Sequence, residues 1–255
     1  MTDTAPAPAQ KADPASSRAP DWLTRWEFAH RGLHSPGVPE NSLAAAKAAM
    51  AAGMGVECDV QRSLDRQAMV FHDWDLARLT DVTGLTEVFN AAELEAMVLQ
   101  NTDERPSRLG TLLKIVGSDV PILVEIKSRP GYEVKATCEL TAEVLEGYDG
   151  EYGVMSFDPR AVRWFARHSP AMVRGLVCTD TLDLGFLGVW RQEGMIEAAD
   201  PHFLAVDIRD LPNTFARLWR ESGRPLLAWT VRSPELRELA LRETDALISE
   251  GEGLA

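Results

Sequence analysis

Gly55-Val56-Glu57-Cys58-Asp59-Val60 is a short apolar run that carries two acids two residues apart. In an extended chain successive side chains alternate, so Glu57 and Asp59 share one face while Val56 and Cys58 take the other. Pro121-Ile122-Leu123-Val124-Glu125-Ile126-Lys127 repeats the arrangement, with Glu125 and Lys127 together at the end of an apolar strand. Each run is hydrophobic through its length and ionisable at its C-terminal end. Strands of a parallel sheet buried on both faces read this way.

Outward from these two runs, strands alternate with helices. A first strand, Trp26–Ala29, runs into His30. An alanine-rich helix over 43–52 follows, with Ser42 as its cap and Gly53 as its stop. Gln61–Gln67 reads as a polar turn, and Ala68–Phe71 as an extra strand returning as a hairpin. Residues 74–107 are irregular, with a short helix at Ala91–Met97. Leu109, Leu112, Leu113 and Val116 have helical spacing, and a long helix spans Glu133–Leu145. Tyr152–Ser156, Gly175–Cys178, Phe203–Val206, Pro225–Trp229 and Ala246–Ile248 are further strands. Asp158-Pro159 and Ser233-Pro234 start helices by the cap-then-proline rule. Without the hairpin strand the count is eight, which predicts an α/β fold closed as a TIM (β/α)8 barrel with a small insertion. An open doubly wound sheet would carry a glycine-rich loop after its first strand, and none is present.

The chain has 255 residues, close to the typical size of such a barrel, and 45% are hydrophobic. The predicted division is a flexible tail over 1–20 and one barrel domain over 21–255. A net charge of −13 disfavours nucleic acid and anionic lipid surfaces as partners, though a local basic site can still take a small anion. Cys58, Cys138 and Cys178 form no CxxC pair, which points away from a disulfide framework or a cysteine zinc site and towards a reducing, cytoplasmic setting. No apolar leader or spanning segment is found, so no membrane anchor is expected. Nothing in the sequence indicates the oligomeric state.

In a barrel the reacting groups lie at the C-terminal ends of the strands. Glu57, Asp59 and Glu125 fall there, and three carboxylates without a histidine or cysteine cluster suit a hard divalent cation, Mg²⁺, Ca²⁺ or Mn²⁺. Read blandly, Glu125 and Lys127 are a structural ion pair. Read functionally, Glu125 binds the metal and Lys127 a phosphate. His30-Arg31-Gly32 ends the first strand and His72-Asp73 ends the hairpin strand. Two histidines could serve as acid and base, and Arg31 has the planar fork that fits phosphate. Glu40 is a helix-cap residue or a further ligand from the first loop. Ser156, Phe157 and Trp229 are rim packing or a wall of the leaving-group pocket. His34, His168 and His202 are set aside as structural or surface residues.

These segments resemble the glycerophosphodiester phosphodiesterase family. The resemblance rests on His-Arg-Gly (30–32), Pro-Glu-Asn-Ser (39–42), Glu-Cys-Asp-Val (57–60), Val-Phe-His-Asp (70–73), Val-Glu-Ile-Lys (124–127), Ser-Phe-Asp-Pro (156–159) and Ala-Trp-Thr-Val (228–231). It implies a TIM barrel with an insertion within 74–110, and a divalent metal held by Glu57, Asp59 and Glu125 with Glu40 near. It also implies His30 and His72 as acid–base pair, and Arg31 and Lys127 around the phosphate of a small glycerophosphodiester. His72 as base and His30 as acid is the first choice, and the nucleophile is water or the substrate's own hydroxyl. Two departures touch the rim: Ser249-Glu250-Gly251-Glu252 stands where members commonly have Thr-Asp-x-Pro, and Arg232 where many have Asn. Arg232 could meet an anionic head group, but the first expectation is a solvated surface charge. The competing readings are a phospholipase D-like cleavage of lysolipids, which would use an apolar rim at 181–196, and a phosphate-binding barrel without catalysis.

Overall fold

The computed structural model describes residues 19–99, 102–179 and 193–254. In chain order its strands are β1 (Phe28–Ala29), β2 (Gly55–Arg62), β3 (Ala68–Val70), β4 (Ser107–Arg108), β5 (Ile122–Ile126), β6 (Tyr152–Ser156), β7 (Val173–Cys178), β8 (Phe203–Asp207), β9 (Leu226–Val231) and β10 (Ala246–Ser249). The helices are α1 (Leu43–Ala51), α2 (Ala91–Ala96), α3 (Leu109–Val116), α4 (Val134–Leu145), α5 (Pro159–His168), α6 (Glu193–Ala199), α7 (Thr214–Glu221) and α8 (Pro234–Glu243). Parallel pairing runs β1-β2-β5-β6-β7-β8-β9-β10, and β1 closes the ring by pairing with both β2 and β10. The result is the closed (β/α)8 barrel expected, with helices between consecutive barrel strands and two of them, α2 and α3, between β2 and β5.

Closure divides the apolar residues into two sets. Alternate side chains such as Val56, Cys58, Ile122 and Val124 face the helices, while Phe28, Leu123, Met155, Phe203 and Leu227 fill the barrel interior. Glycines make room for the two rings at the interior base. A β-carbon on Gly175 would lie 2.2 Å from the Phe203 ring, and one on Gly55 would lie 2.6 Å from Phe28. Overpacking of this kind typically costs about 1–3 kcal/mol. Gly175→Ala should therefore lower the urea midpoint by that much stability at unchanged m-value; an unchanged midpoint would show that the base is not close-packed.

The insertion lies between β2 and α3. It holds β3, α2 and β4 and closes over a satellite core that includes Met69, Phe71, Leu76 and Leu94. β3 pairs antiparallel with the end of β2, where β2 rises above the barrel rim. The turn expected at Gln61–Gln67 therefore begins later, because β2 continues through Arg62. Gln61 is completely buried there despite its polarity. Its side-chain amide donates to the carbonyls of Phe71, His72 and Asp73 at 3.1, 3.1 and 2.7 Å, and its oxygen accepts from Thr86 Oγ1 at 2.8 Å.

Ser42, Asp158 and Ser233 cap α1, α5 and α8 as expected, each accepting a backbone N–H of the first turn. Of the tail expected over 1–20, residues 1–18 lie outside the described residues, while Ala19 is buried with Trp22 and Leu23. Among the described residues Cys58, Cys138 and Cys178 are buried, and no helix is long and apolar enough to cross a membrane.

Candidate active site

The strand register places the acids side by side: Asp59 pairs with Glu125 across β2 and β5, and Glu57 stands one interior layer below. Glu57, Asp59 and Glu125 are 1%, 1% and 8% exposed, and each offers an oxygen within 4.8 Å of the others. Burial, then the charges of Asp59 and Glu125, pushes the Glu57 carboxyl well above its ordinary range. Burial also raises Glu125, against the opposing pull of Lys127. Asp59 goes the other way: burial works against its charge, but Lys127, His72, Arg31 and Asn41 outweigh it and hold the carboxyl below its ordinary value.

Cations and polar groups meet this cluster from the loops. Lys127 Nζ lies 3.1 Å from Glu125 and 3.4 Å from Asp59, and Arg31 Nε lies 3.4 Å from Asp59. The Arg31 backbone N–H donates to Glu57 at 2.9 Å, and Asn41 donates to Asp59 at 2.9 Å while accepting the Asp59 N–H at 3.1 Å. Arg31 and Asn41 are both left-handed, with φ of 55° and 56°. Such conformations are uncommon outside glycine and here turn the loop back over the strand ends. Three buried carboxylates face two side-chain cations, one of which also serves Glu40. The donor set is all oxygen, anionic and incompletely neutralised, which fits a hard divalent cation.

Glu40 does not join that cluster. It accepts from Arg31 Nη1 at 2.7 Å and from Arg78 at 2.7 and 2.9 Å, which ties the first loop to the insertion. Arg78 also grips Asp73, and Asp73 Oδ1 meets His72 Nδ1 at 2.8 Å. His30 Nδ1 is held in the same way by Glu250 Oε2, at the end of β10. Each imidazole thus has a carboxylate on Nδ1, which assigns the proton there and leaves Nε2 for a reacting group. Burial lowers both histidines from their ordinary value, His30 against the opposing Glu250 hydrogen bond and His72 against the opposing charge of Asp59.

His30, Arg31, Asp59, His72, Glu125 and Lys127 open into one cavity of about 400 Å³. Trp74, Phe157 and Trp229 add apolar walls; the last two meet edge to face at 5.2 Å, and Trp229 Nε1 donates to Ala205 O at 3.0 Å. Ser156 lies away from this cavity. It donates to Ile126 O at 2.7 Å and accepts the Asp158 N–H at 3.0 Å, because the alternation that sends Met155 inward sends Ser156 out. Arg232 is not a free surface charge: it lines the cavity and pairs with Glu250 Oε1. His34 is not isolated either, since its Nε2 lies 3.3 Å from Glu250 Oε2. Gln61, Asn41, Arg78 and Glu250 are the residues the sequence reading missed. Asn41 stands in Pro-Glu-Asn-Ser (39–42), Arg78 in Leu-Ala-Arg-Leu-Thr (76–80) and Glu250 in the departure at 249–252, but none was given a role; Gln61 carried no signal. The apolar stretch expected to form a lipid-facing rim at 181–196 falls mostly outside the described residues.

The model of the glycerophosphoryl diester phosphodiesterase family matches residues 30–250. The chain is 28% identical over 238 residues to a glycerophosphodiester phosphodiesterase of Caldanaerobacter subterraneus subsp. tengcongensis, covering 88% of this chain and 93% of that protein. It is 36% identical over 219 residues to YhdW of Bacillus subtilis (strain 168), covering 81% and 86%. Among solved structures, an Oleispira antarctica phosphodiesterase in complex with the product sn-glycerol-3-phosphate superposes with a TM-score of 0.75 at 25% identity, covering 88% of this chain and 92% of that one.

Proposed function

Since this chain belongs to the glycerophosphoryl diester phosphodiesterase family, we propose that its cavity hydrolyses glycerophosphodiesters to glycerol 3-phosphate and an alcohol, with His30 and His72 as the proton-transfer pair. The enzyme class comes with the family: the chain is a phosphoric diester hydrolase. One observation carries the residue assignment. Two histidines, each oriented through Nδ1 by its own carboxylate, open into the same cavity as Arg31, Lys127, Asp59 and Glu125.

Arg31 and Lys127 hold the non-bridging phosphate oxygens and offset the charge that grows on them, the kind of stabilisation that usually contributes most. Glu57, Asp59 and Glu125 would hold a divalent cation, Mg²⁺, Ca²⁺ or Mn²⁺ by their chemistry, which supplies further neutralisation of the phosphate. One histidine takes the proton of the attacking hydroxyl as its oxygen bonds to phosphorus. The other gives a proton to the departing alkoxide as the second P–O bond breaks. The attacking hydroxyl is water or the adjacent hydroxyl of the glycerol moiety; in the latter case water opens a cyclic phosphate in a second round. Both routes consume one water; the cyclic route returns both histidines to their starting state because their roles reverse in its second round, and the direct route resets them by proton exchange with solvent. Trp74, Phe157 and Trp229 shape the side of the cavity that receives the alcohol.

The test is glycerol 3-phosphate release from a panel of glycerophosphodiesters by protein stripped with chelator, then resupplied with Mg²⁺, Mn²⁺ or Ca²⁺. Release that depends on the added metal is the expected result, and the panel identifies the alcohol. Absence of release from every diester, with the protein folded and metal-loaded, would overturn the proposal.

A further inference from the structure

We infer that His30, His34 and Glu250 form a second metal site, suited to a borderline ion such as Zn²⁺, whose filling stops turnover by capturing His30. The inference about turnover rests on the role proposed for His30 above; the site itself does not.

The donors come from two places in the chain, the loop after β1 and the end of β10. His30, His34 and Glu250 each offer a ligand atom within 4.8 Å of the others, and Glu250 Oε2 meets both His30 Nδ1 and His34 Nε2. Two imidazole nitrogens and one carboxylate are a ligand set found at zinc sites, whereas the Glu57, Asp59 and Glu125 cluster offers oxygen alone. The two clusters therefore differ in the ions they prefer. One pair already has ligand spacing: bonds of about 2.0–2.1 Å at tetrahedral angles put donor atoms roughly 3.3 Å apart, and His34 Nε2 stands 3.3 Å from Glu250 Oε2. His30 Nδ1 and Glu250 Oε2 are in direct hydrogen-bond contact and must separate for an ion to enter between them. Arg232 holds the other oxygen, Oε1, so Oε2 faces both rings. The side chains of His30, His34 and Glu250 are 12%, 26% and 19% exposed, which leaves solvent access for an incoming ion and its remaining water ligands. The charge on Arg232 opposes a cation here, so the site takes up an inhibitory ion when it is offered and does not retain one.

Binding needs no change of oxidation state. The proton shared by His30 Nδ1 and Glu250 leaves to solvent, and metal–nitrogen and metal–oxygen bonds replace it. With the ion on Nδ1, the ring stays neutral by taking a proton from solvent at Nε2, and that nitrogen can then accept none from a reacting group. His34 has no place in the proposed reaction, which makes it the informative position.

The experiment titrates Zn²⁺ into enzyme kept saturated with Mg²⁺, following glycerol 3-phosphate release, and in parallel counts bound zinc by calorimetry, for the wild type and His34→Ala. The expected result is equal Mg²⁺-supported turnover without zinc. His34→Ala should then need at least about tenfold more zinc for half-inhibition, a loss that even outer-shell changes produce at metal sites, and should bind one zinc fewer. Equal inhibition and equal zinc counts in the two proteins would place zinc in the acidic cluster and overturn the inference. If the wild type turns over no diester, the zinc count still decides: one site fewer in His34→Ala supports the site while the proposed function fails.

Discussion

His30→Ala and His72→Ala should each lower kcat by at least about 10²–10⁴-fold, the usual worth of a positioned acid or base, while unfolding stays cooperative and its midpoint moves little. The small stability effect follows from what each ring leaves behind. Without His30, Glu250 keeps Arg232 on one oxygen and His34 near the other. Without His72, Asp73 keeps two contacts from Arg78. Neither substitution strands a buried charge, the usual source of large destabilisation. Glu250→Gln offers a contrast, because Glu250 acts through His30 and touches no reacting atom in the proposed mechanism. It should lower kcat less than His30→Ala, leave KM unchanged and shift the pH profile of kcat, since the hydrogen bond that raises His30 against burial is weakened. Steady-state kinetics across pH, alongside thermal unfolding, check all three. Near-normal turnover in either histidine variant would remove that residue from the mechanism.

Glu57, Asp59, Glu125 and Lys127 could be grouped from the sequence because strand alternation is a local rule: two residues apart means one face, and Asp59 and Glu125 do pair across β2 and β5. His30 and His72 could be located because each follows an apolar strand. Their partners could not. Glu250 meets His30 from the far end of the chain, 220 residues away, and only ring closure between β1 and β10 brings the two together. The departures at Glu250 and Arg232 were visible one by one, but their pairing with each other depends on the neighbouring ends of β9 and β10. Gln61 was misread for a related reason. A polar residue after a strand resembles a turn unless three backbone carbonyls of a later segment fold over it, as those of residues 71–73 do. Ser156 erred the other way: adjacency to Phe157 suggested a shared wall, yet the pleat sends them to opposite sides.

Glu57→Gln should abolish metal-supported turnover and yet make the chelator-stripped protein more stable than the wild type. Glu57, Asp59 and Glu125 are almost fully buried, with Lys127 and Arg31 as the only side-chain cations that pair with them among the described residues. In the stripped protein, burial and the neighbouring carboxylates push Glu57 well above the ordinary value of 4.5 that it recovers on unfolding. Between 4.5 and its raised folded value the native state then holds a proton that the unfolded chain has lost. Stability must fall as pH rises through that window, since its slope has the sign of protons bound unfolded minus native. A neutral amide removes this slope, so the advantage of the stripped variant should grow as pH rises above 4.5 through that window. Added Mg²⁺ should act in the opposite sense on the two proteins. The wild type gains by mass action, about 2.7 kcal/mol at a hundredfold excess over Kd, whereas the variant, short of one ligand, gains little. Thermal unfolding with and without Mg²⁺ at pH 6 and pH 8 reads every part of this. A stripped variant less stable than stripped wild type, or one that Mg²⁺ stabilises equally, would show that Glu57 is not held in place for a cation.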